Sequence, residues 1–310
     1  MKKIVIVTSV EQTLNAFFLN HLKLLKKKFS ITLISNFNNN IREDLKEFRL
    51  ININFSRKIN FFSDIFNFFN LSYTIYKINP NLLLSVTPKI GLFCSVASFF
   101  LRVKSVHYFT GQVWITRKGF QRIFLKNIDR LMGFLSTHIL TDSYSQKKFF
   151  EDERIIKKGK LKVLANGSIC GVDTSQFKPN DIQKDKIRTD LGISKDSILL
   201  LFLGRLNKDK GVLDLAEVLN ILNKKIGHEK KIHLLIIGPD EENIKYQVQL
   251  ICKEYLQNIH FMDFTDEPEK FMVAADIFCL PSYREGFGMA ALEAGACALP
   301  TVASRIYGLT

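Results

Sequence analysis

Short apolar runs that do not alternate with polar residues constrain this chain more than any other feature. Ile198-Leu199-Leu200-Leu201-Phe202-Leu203 and Ile277-Phe278-Cys279-Leu280 are the clearest. A strand with one face in water alternates; a strand apolar at every position is buried on both faces, as in parallel sheets covered by crossover helices. Similar runs fall at Ile4–Thr8, Ile31–Ser35, Leu82–Val86, Val106–Phe109, Ile139–Asp142 and Lys162–Leu164. They return at Ile198–Leu203, Ile232–Gly238, His260–Met262, Ile277–Leu280 and Thr301–Ala303. Helical patterns of roughly 10–20 residues separate them. The predicted class is α/β, with two sets of parallel strands flanked by helices.

A chain of 310 residues has room for two such sheets. We place an N-terminal domain at 1–173 and a C-terminal one at 174–310, with the polar, turn-rich stretch 173–197 at the junction. Open parallel sheets bind ligands outside the carboxyl ends of their strands, which directs attention to the loops after Thr8, Phe109, Leu203, Gly238, Met262 and Leu280. Charge is divided unequally. Residues 1–172 hold 27 Lys and Arg against 10 Asp and Glu, and the remainder hold 17 against 20. A basic first half fits an anionic partner such as a phospholipid surface, a lipid-linked phosphate acceptor or nucleic acid, and equally a set of solvated lysine-rich faces. The aromatic segment Asn60-Phe61-Phe62-Ser63-Asp64-Ile65-Phe66-Asn67-Phe68-Phe69, preceded by Arg57 and Lys58, reads as a helix packed on the sheet or as an interfacial membrane helix. Five scattered cysteines without a C-x-x-C pair are expected to be buried thiols. The apolar run Ile4–Val7 is too short for a leader, and no stretch approaches the ~18–20 apolar residues of a spanning helix, so a cytoplasmic protein, at most attached to a membrane face, is expected.

The strongest chemical signal is Pro281-Ser282-Tyr283-Arg284-Glu285-Gly286-Phe287-Gly288-Met289-Ala290-Ala291-Leu292-Glu293-Ala294. A buried strand runs into a glycine turn that opens a helix rich in Ala and Leu. Gly286 and Gly288 let backbone N–H groups of Gly286–Met289 approach a ligand, and the helix start adds free N–H groups and its positive dipole end, which makes an anion site. Glu285 and Glu293 frame it. Carboxylates beside a phosphate repel it unless they serve neighbouring hydroxyls, so sugar and ribose hydroxyls are their natural partners. After Ile198–Leu203 comes Gly204-Arg205-Leu206-Asn207-Lys208-Asp209-Lys210-Gly211, with Arg205 as a fork for phosphate oxygens and Lys210 as a point charge.

These two motifs resemble those of the retaining glycosyltransferases of group 1, the family with two Rossmann-like domains (the GT-B fold) marked by Glu, seven residues and Glu. Glu285 and Glu293 match that pair, and Gly204-Arg205-Leu206 with Lys210-Gly211 matches the family's donor-diphosphate motif. The resemblance is firm from about Leu199 onward and weaker before it. It implies transfer of a hexosyl or N-acetylhexosaminyl group from a nucleoside-diphosphate sugar to an acceptor hydroxyl, with retained configuration. Arg205, Lys210 and Glu285 would be catalytic, with Gly204, Gly286, Phe287, Gly288, Met289 and Glu293 holding the donor. Gly238, Met262 and Phe264 would lie near its base. The acceptor attacks on the leaving-group face, and a diphosphate oxygen takes its proton. By association the acceptor is a lipid-linked saccharide of surface polysaccharide assembly, and the basic half faces an anionic membrane from inside the cell.

One departure matters. Many members carry His-Gly after a middle strand, whereas this chain has His107-Tyr108-Phe109-Thr110-Gly111-Gln112, so no catalytic base is assigned. Ser9, Thr110 and Gly111 are expected on the acceptor side, His107 in the core, and Trp114 either against a saccharide or in packing. No Asp-x-Asp motif stands beside a strand end, so neither metal nor other cofactor is expected. A nicotinamide dehydrogenase is excluded by the missing G-x-G-x-x-G after the first strand, and nucleic-acid binding by the lack of a recognition motif. Family members continue beyond Thr310, so the resemblance implies an incomplete second domain. The alternative function is a truncated, inactive or partner-dependent fragment that only binds nucleotide.

Overall fold

The computed structural model describes residues 1–37, 41–56, 60–226 and 231–310. Arg57 and Lys58 lie outside the described residues. The chain divides into two compact units, Met1–Cys170 and Gly171–Thr310.

The first unit contains β1 (Lys2–Val7), α1 (Glu11–Phe17), α2 (Leu19–Leu25), β2 (Phe29–Ser35), α3 (Glu43–Lys46), β3 (Arg49–Asn52), α4 (Phe61–Ile78), β4 (Leu82–Ser85), α5 (Pro88–Phe100), β5 (Ser105–Phe109), α6 (Gly119–Leu135), β6 (His138–Thr141), α7 (Tyr144–Asp152) and β7 (Leu161–Lys162). Its strands form one sheet in the order β3-β2-β1-β4-β5-β6-β7, parallel throughout. Alternate residues of the central strand β1 feed two cores, as the pleat requires. Ile4 and Ile6 pack with Leu14, Phe18, Leu22 and Leu45 from α1–α3. Val5 and Val7 pack with Leu71, Ile75, Ile90 and Cys94 from α4 and α5. Because crossovers are right-handed and the order reverses between β1 and β4, α4–α7 cover the second face.

α4 shows how local chemistry sets an element. The Asn60 side chain accepts the Ser63 N–H, and the Asp64 carboxylate accepts the N–H of Asn60, satisfying donors that a helix start leaves unpaired. Asn79 ends the helix in the left-handed conformation, and Pro80 cannot continue it. Asn67, Leu71, Ile75 and Ile78 line the buried face.

The second unit contains α8 (Asp181–Asp190), β8 (Ile198–Leu203), a 3-10 turn Lys208–Lys210, α9 (Val212–Ile226), β9 (Ile232–Ile237), α10 (Ile244–Ile251), β10 (Ile259–Met262), α11 (Pro268–Met272), β11 (Ile277–Leu280), α12 (Met289–Ala296) and β12 (Thr301–Ala303). The sheet is again parallel, in the order β10-β9-β8-β11-β12. The carboxyl ends of β9, β8 and β11 therefore stand side by side. Every residue of β9 is buried. The two faces carry separate cores, one through Leu199, Leu201, Leu235 and Phe278, the other through Leu200, Phe202, Leu234 and Ile236.

The α/β class and the two parallel sheets expected from the apolar runs are both present. β8, β11 and β12 occupy the residues predicted for them, and the other predicted strands shift by at most two residues at an end. Two expectations need correction. β3 was not anticipated, because an edge strand with polar ends, Arg49 and Asn52, offers only Leu50 and Ile51 as an apolar signal. The stretch 173–197 is more than a polar junction. It holds α8, whose buried Arg188 donates to the carbonyls of Ala274, Ser194 and Ser197 and to the Asp276 carboxylate. One arginine thereby ties α8 to the base of β11.

Candidate functional site

The loop after β8 is held on both sides by its neighbours. Toward β9, Gly204 donates to Ile237, Leu206 donates to Pro239, and Glu241 donates back to Leu206. The approach is so close that a Cβ on Gly238 would fall 1.9 Å from the Gly204 carbonyl oxygen, and its φ of 147° is one that other residues rarely adopt. Toward β11, a Cβ on Gly211 would fall 2.1 Å from the Pro281 carbonyl oxygen, at φ 68°. Tyr283 donates its N–H to the Asp209 carbonyl, and Arg284 Nε and Nη2 both donate to Asp209 Oδ2 at 3.3 and 3.2 Å. The Tyr283 hydroxyl donates to Asp214.

This clamp delivers Lys210 to Glu285. Lys210 Nζ donates to Glu285 Oε1 at 2.5 Å, and the Ser282 hydroxyl, wholly buried, donates to the same oxygen at 2.8 Å. Among the described residues no donor reaches Oε2. Lys210 and Glu285 are 20% and 13% exposed, so water screens the pair poorly and charge-assisted bonds of this kind contribute about 1.5–3 kcal/mol.

Arg205 behaves differently. Its Nη1 donates to both oxygens of Glu241 at 3.1 and 3.0 Å, and Asn207 Nδ2 donates to Glu241 Oε2 at 2.9 Å. The Arg205 side chain is 46% exposed, and ion pairs with that much solvent contribute only about 0–1 kcal/mol. The two cations expected to act together are thus paired with carboxylates on opposite neighbours of one loop: Lys210 firmly on the β11 side, Arg205 loosely on the β9 side. Little free energy opposes a swing of Arg205 toward a stronger anion.

Other expected positions follow the sheet. Gly288, left-handed, is the residue from which α12 starts; Gly286 and Gly288 are buried, Phe287 and Met289 half-buried. Met262 ends β10 and its carbonyl accepts the Gly238 N–H, whereas Phe264 is exposed. Glu293, one turn into α12, is half-buried; burial first and then Glu269 hold its carboxyl above the usual range.

In the first unit, Ser9 at the end of β1 bonds the Thr87 hydroxyl beyond β4, while Thr110 and Gly111 follow β5. His107 is a core residue as expected: its Nδ1 meets the Ser85 hydroxyl at 2.9 Å and burial pushes its pKa down to about 3. Trp114 is buried, donates to Asp129 at 2.8 Å and stacks on Phe149, which decides its open role in favour of packing. None of the five cysteines forms a disulfide with a described residue; four are buried and Cys170 is half-buried. Sequence reasoning missed Ser282, the Asp209–Arg284 pair and Glu241. It also missed Asp142, buried at the end of β6, whose pKa burial raises to about 7 against the bond from Tyr108. The only available signal for the Asp209–Arg284 pair was opposite charge at matched offsets in the two motifs. Among the described residues no group of three His, Cys, Asp or Glu is placed to hold a metal.

Known proteins resemble this chain in sequence and in fold. Residues 183–310 match the family model described as glycosyl transferases group 1. Capsular polysaccharide biosynthesis glycosyltransferase CapM of Staphylococcus aureus is 27% identical over 288 residues, which cover 92% of this chain and 74% of CapM. O-antigen biosynthesis glycosyltransferase WclY of Escherichia coli is 33% identical over 136 residues; the match spans 44% of this chain and only 36% of WclY. Among solved structures, Anabaena HepE in complex with UDP and glucose superposes with a TM-score of 0.76 at 16% identity, over 99% of this chain and 82% of HepE. WaaG, a glycosyltransferase involved in lipopolysaccharide biosynthesis, gives 0.75 at 15% identity with the same coverage. The group 1 match lies on the very unit that holds the Lys210–Glu285 pair, and both sheets have the GT-B arrangement: the chain has the GT-B fold, and its residues 183–310 resemble the glycosyl transferases of group 1.

Proposed function

We propose that the chain transfers a sugar from a nucleoside diphosphate to a lipid-linked saccharide during surface polysaccharide assembly, with retention at the anomeric carbon and without a metal. The observation that carries this is the Lys210–Glu285–Ser282 cluster. It fixes one oxygen of Glu285 and leaves the other for a sugar hydroxyl. It also sets an ammonium beside the glycine turn that starts α12, where the positive end of the helix dipole favours a diphosphate. Arg205 would leave Glu241 for that diphosphate. Preorganised charge of this kind stabilises the transition state as the bond between C1 and the diphosphate oxygen breaks. The acceptor oxygen bonds to C1 from the same face, and its proton passes to the departing diphosphate. Glu293 would meet the ribose, Gly238, Met262 and Phe264 the base, and Ser9, Thr110 and Gly111 the acceptor.

HepE was solved with UDP and with UDP-glucose, CapM and WclY are named for capsular polysaccharide and O-antigen, and WaaG for lipopolysaccharide. These names support a nucleotide-sugar donor and an envelope saccharide as acceptor. The net charge of the first unit favours an anionic membrane as the place of action, at its cytoplasmic face. No helix of the described residues is long and apolar enough to cross it.

The test is transfer to a polyprenyl-diphosphate-linked saccharide, with the product anomer read by NMR and chelator present throughout. Glu285→Gln and Lys210→Ala should each lower kcat by about 100- to 1000-fold, the usual cost of one preorganised charge contact. Full activity in either variant, an inverted product, or inactivation by the chelator would overturn the corresponding part of the proposal.

A further inference from the structure

We propose that the outward faces of α4, α5 and α6 form an interfacial docking surface, through which the first unit lies on an anionic lipid bilayer with its aromatic side chains among the headgroups. This deepens the lipid-linked acceptor reading and rests on it only for biological purpose; the surface is argued from the helices themselves.

α4 is apolar on two opposite sides. Leu71, Ile75 and Ile78 face the sheet, while Phe62, Phe66, Phe69, Tyr73 and Tyr76 recur at helical spacing on the far side and are exposed, Phe62 by 84%. α6 repeats the arrangement: Met132 and Gly133 are buried, whereas Phe120, Ile123, Phe124 and Phe134 are exposed, Phe120 by 81%. Between them α5 ends in exposed Phe99 and Phe100. α4 and α5 touch through Phe68 and Phe93, whose ring centres are 5.7 Å apart. Right-handed crossovers put all three helices on one face of the sheet. A helix apolar all round needs a second apolar neighbour besides its own core, and this accumulation far exceeds the scattered exposed apolar residues that need no explanation.

Charge selects the occupant. α4, α5 and α6 contain two carboxylates in all, Asp64 and Asp129. Asp64 is ion-paired with Lys89, and Asp129 is buried against Trp114. Exposed cations, by contrast, adjoin each aromatic cluster in sequence: Lys77 after Tyr76, Arg102 after Phe100, Arg117 and Lys118 before Phe120. None of the four forms an ion pair with a described residue. Exposed aromatic side chains beside exposed cations without ion-pair partners among the described residues, Lys77 lying 4.6 Å over the Tyr73 ring, suit a surface of anionic lipid. A second copy of this chain would set cations against cations, since the unit carries 27 Lys and Arg against 10 Asp and Glu.

The test is co-sedimentation of the full chain with vesicles of phosphatidylcholine alone and of phosphatidylcholine mixed equally with phosphatidylglycerol. The mixed vesicles should bind it, and added salt should weaken the binding without abolishing it, because part of the attraction is apolar. Replacing Phe62, Phe66 and Phe69 together by Ser should weaken partitioning by at least about tenfold, given the transfer free energy of exposed phenylalanines. Arg117→Glu with Lys118→Glu should remove the preference for the anionic lipid. Both variants should keep the melting temperature and its rise with UDP or GDP, since every altered residue is solvent-exposed. Failure to sediment with the mixed vesicles, sedimentation unchanged in the phenylalanine variant, or a lipid-free dimer that the same variant dissociates would each overturn the proposal. Transfer in detergent to the lipid-linked acceptor without vesicle binding would sink the docking surface alone. Vesicle binding without such transfer would sink the acceptor reading alone.

Discussion

The two units share a topology and differ in what they leave in contact with water. Both are parallel sheets whose order reverses at a central strand, with cores on both faces. In the second unit, three consecutive loops at the carboxyl ends of β9, β8 and β11 are fastened together by main-chain bonds and ion pairs, and the polar groups so ordered include Lys210 and Glu285, proposed for the donor. In the first unit the conspicuous surface is instead a helical face, aromatic and basic. One fold can thus present ordered polar groups at its strand ends in one copy and an aromatic, basic helix exterior in the other.

If the fastening of the second unit's loops matters as described, breaking it should do more damage than any change on the first unit's exposed helices. Gly238→Ala forces a methyl group to within 1.9 Å of the Gly204 carbonyl, and Gly211→Ala does the same at 2.1 Å from that of Pro281. Backbone cannot give way as a flexible side chain can. Each substitution should cost about 2–4 kcal/mol, combining the strain of a positive φ with displacement of a loop. Thermal melting checks this. A melting temperature within a degree of the parent would show the loops to be looser than their geometry indicates.

Next in size is the Asp209–Arg284 pair, which adjoins the proposed chemistry without being placed in it. Asp209→Asn or Arg284→Gln should raise the KM for the nucleotide sugar by about tenfold, with melting little changed, because one charge-assisted bond is lost and the Lys210–Glu285 geometry loosens. The exchange Asp209→Arg with Arg284→Asp should recover part of the loss. Recovery of nothing, together with a large fall in stability, would identify the pair as structural support only.

How much of this was legible beforehand depended on the kind of interaction. Ile198–Leu203 and Ile277–Leu280 were readable because burial on both faces forces every position to be apolar. β3 was not, because an edge strand can keep Arg49 and Asn52 in water. The Glu285 and Lys210 motifs stood out as residue types in a pattern, yet their 2.5 Å pairing, and the diversion of Arg205 to Glu241, depend on which strands lie side by side. Strand order is a property of the whole sheet, which spacing along the chain does not contain. α8 was hidden for another reason: its polar composition resembled a junction, and only the buried fork of Arg188 shows what holds it.

The smallest expected effect separates the units by their response to acid. In the first unit Asp129 and Asp142 have pKa values raised by burial to about 7, while His107 is lowered to about 3. Between the ordinary carboxylate value and 7 the folded unit therefore holds two protons that the unfolded chain lacks; below about 6.5 it forgoes the one His107 would bind. A net uptake of one proton on folding stabilises that unit, by about 1.4 kcal/mol per pH unit, as pH falls from 6.5 toward 4. In the second unit burial holds both members of the stacked pair His233 and His260 below the usual value, His233 at about 4 with His260, Lys231 and Arg188 adding to the effect of its burial. Their unfolded forms take up protons near 6.5, so this unit loses stability over the same window, offset only in part by the raised carboxyl of Glu293. Hydrogen exchange resolved by peptide should show β5–β6 amides slowing, after correction for intrinsic rates, and β9–β10 amides quickening between pH 6.5 and 5. His233→Phe should flatten the second trend and leave the first alone. Parallel trends in both units would mean that they unfold as one, and the comparison drawn from their surfaces would not extend to their stability.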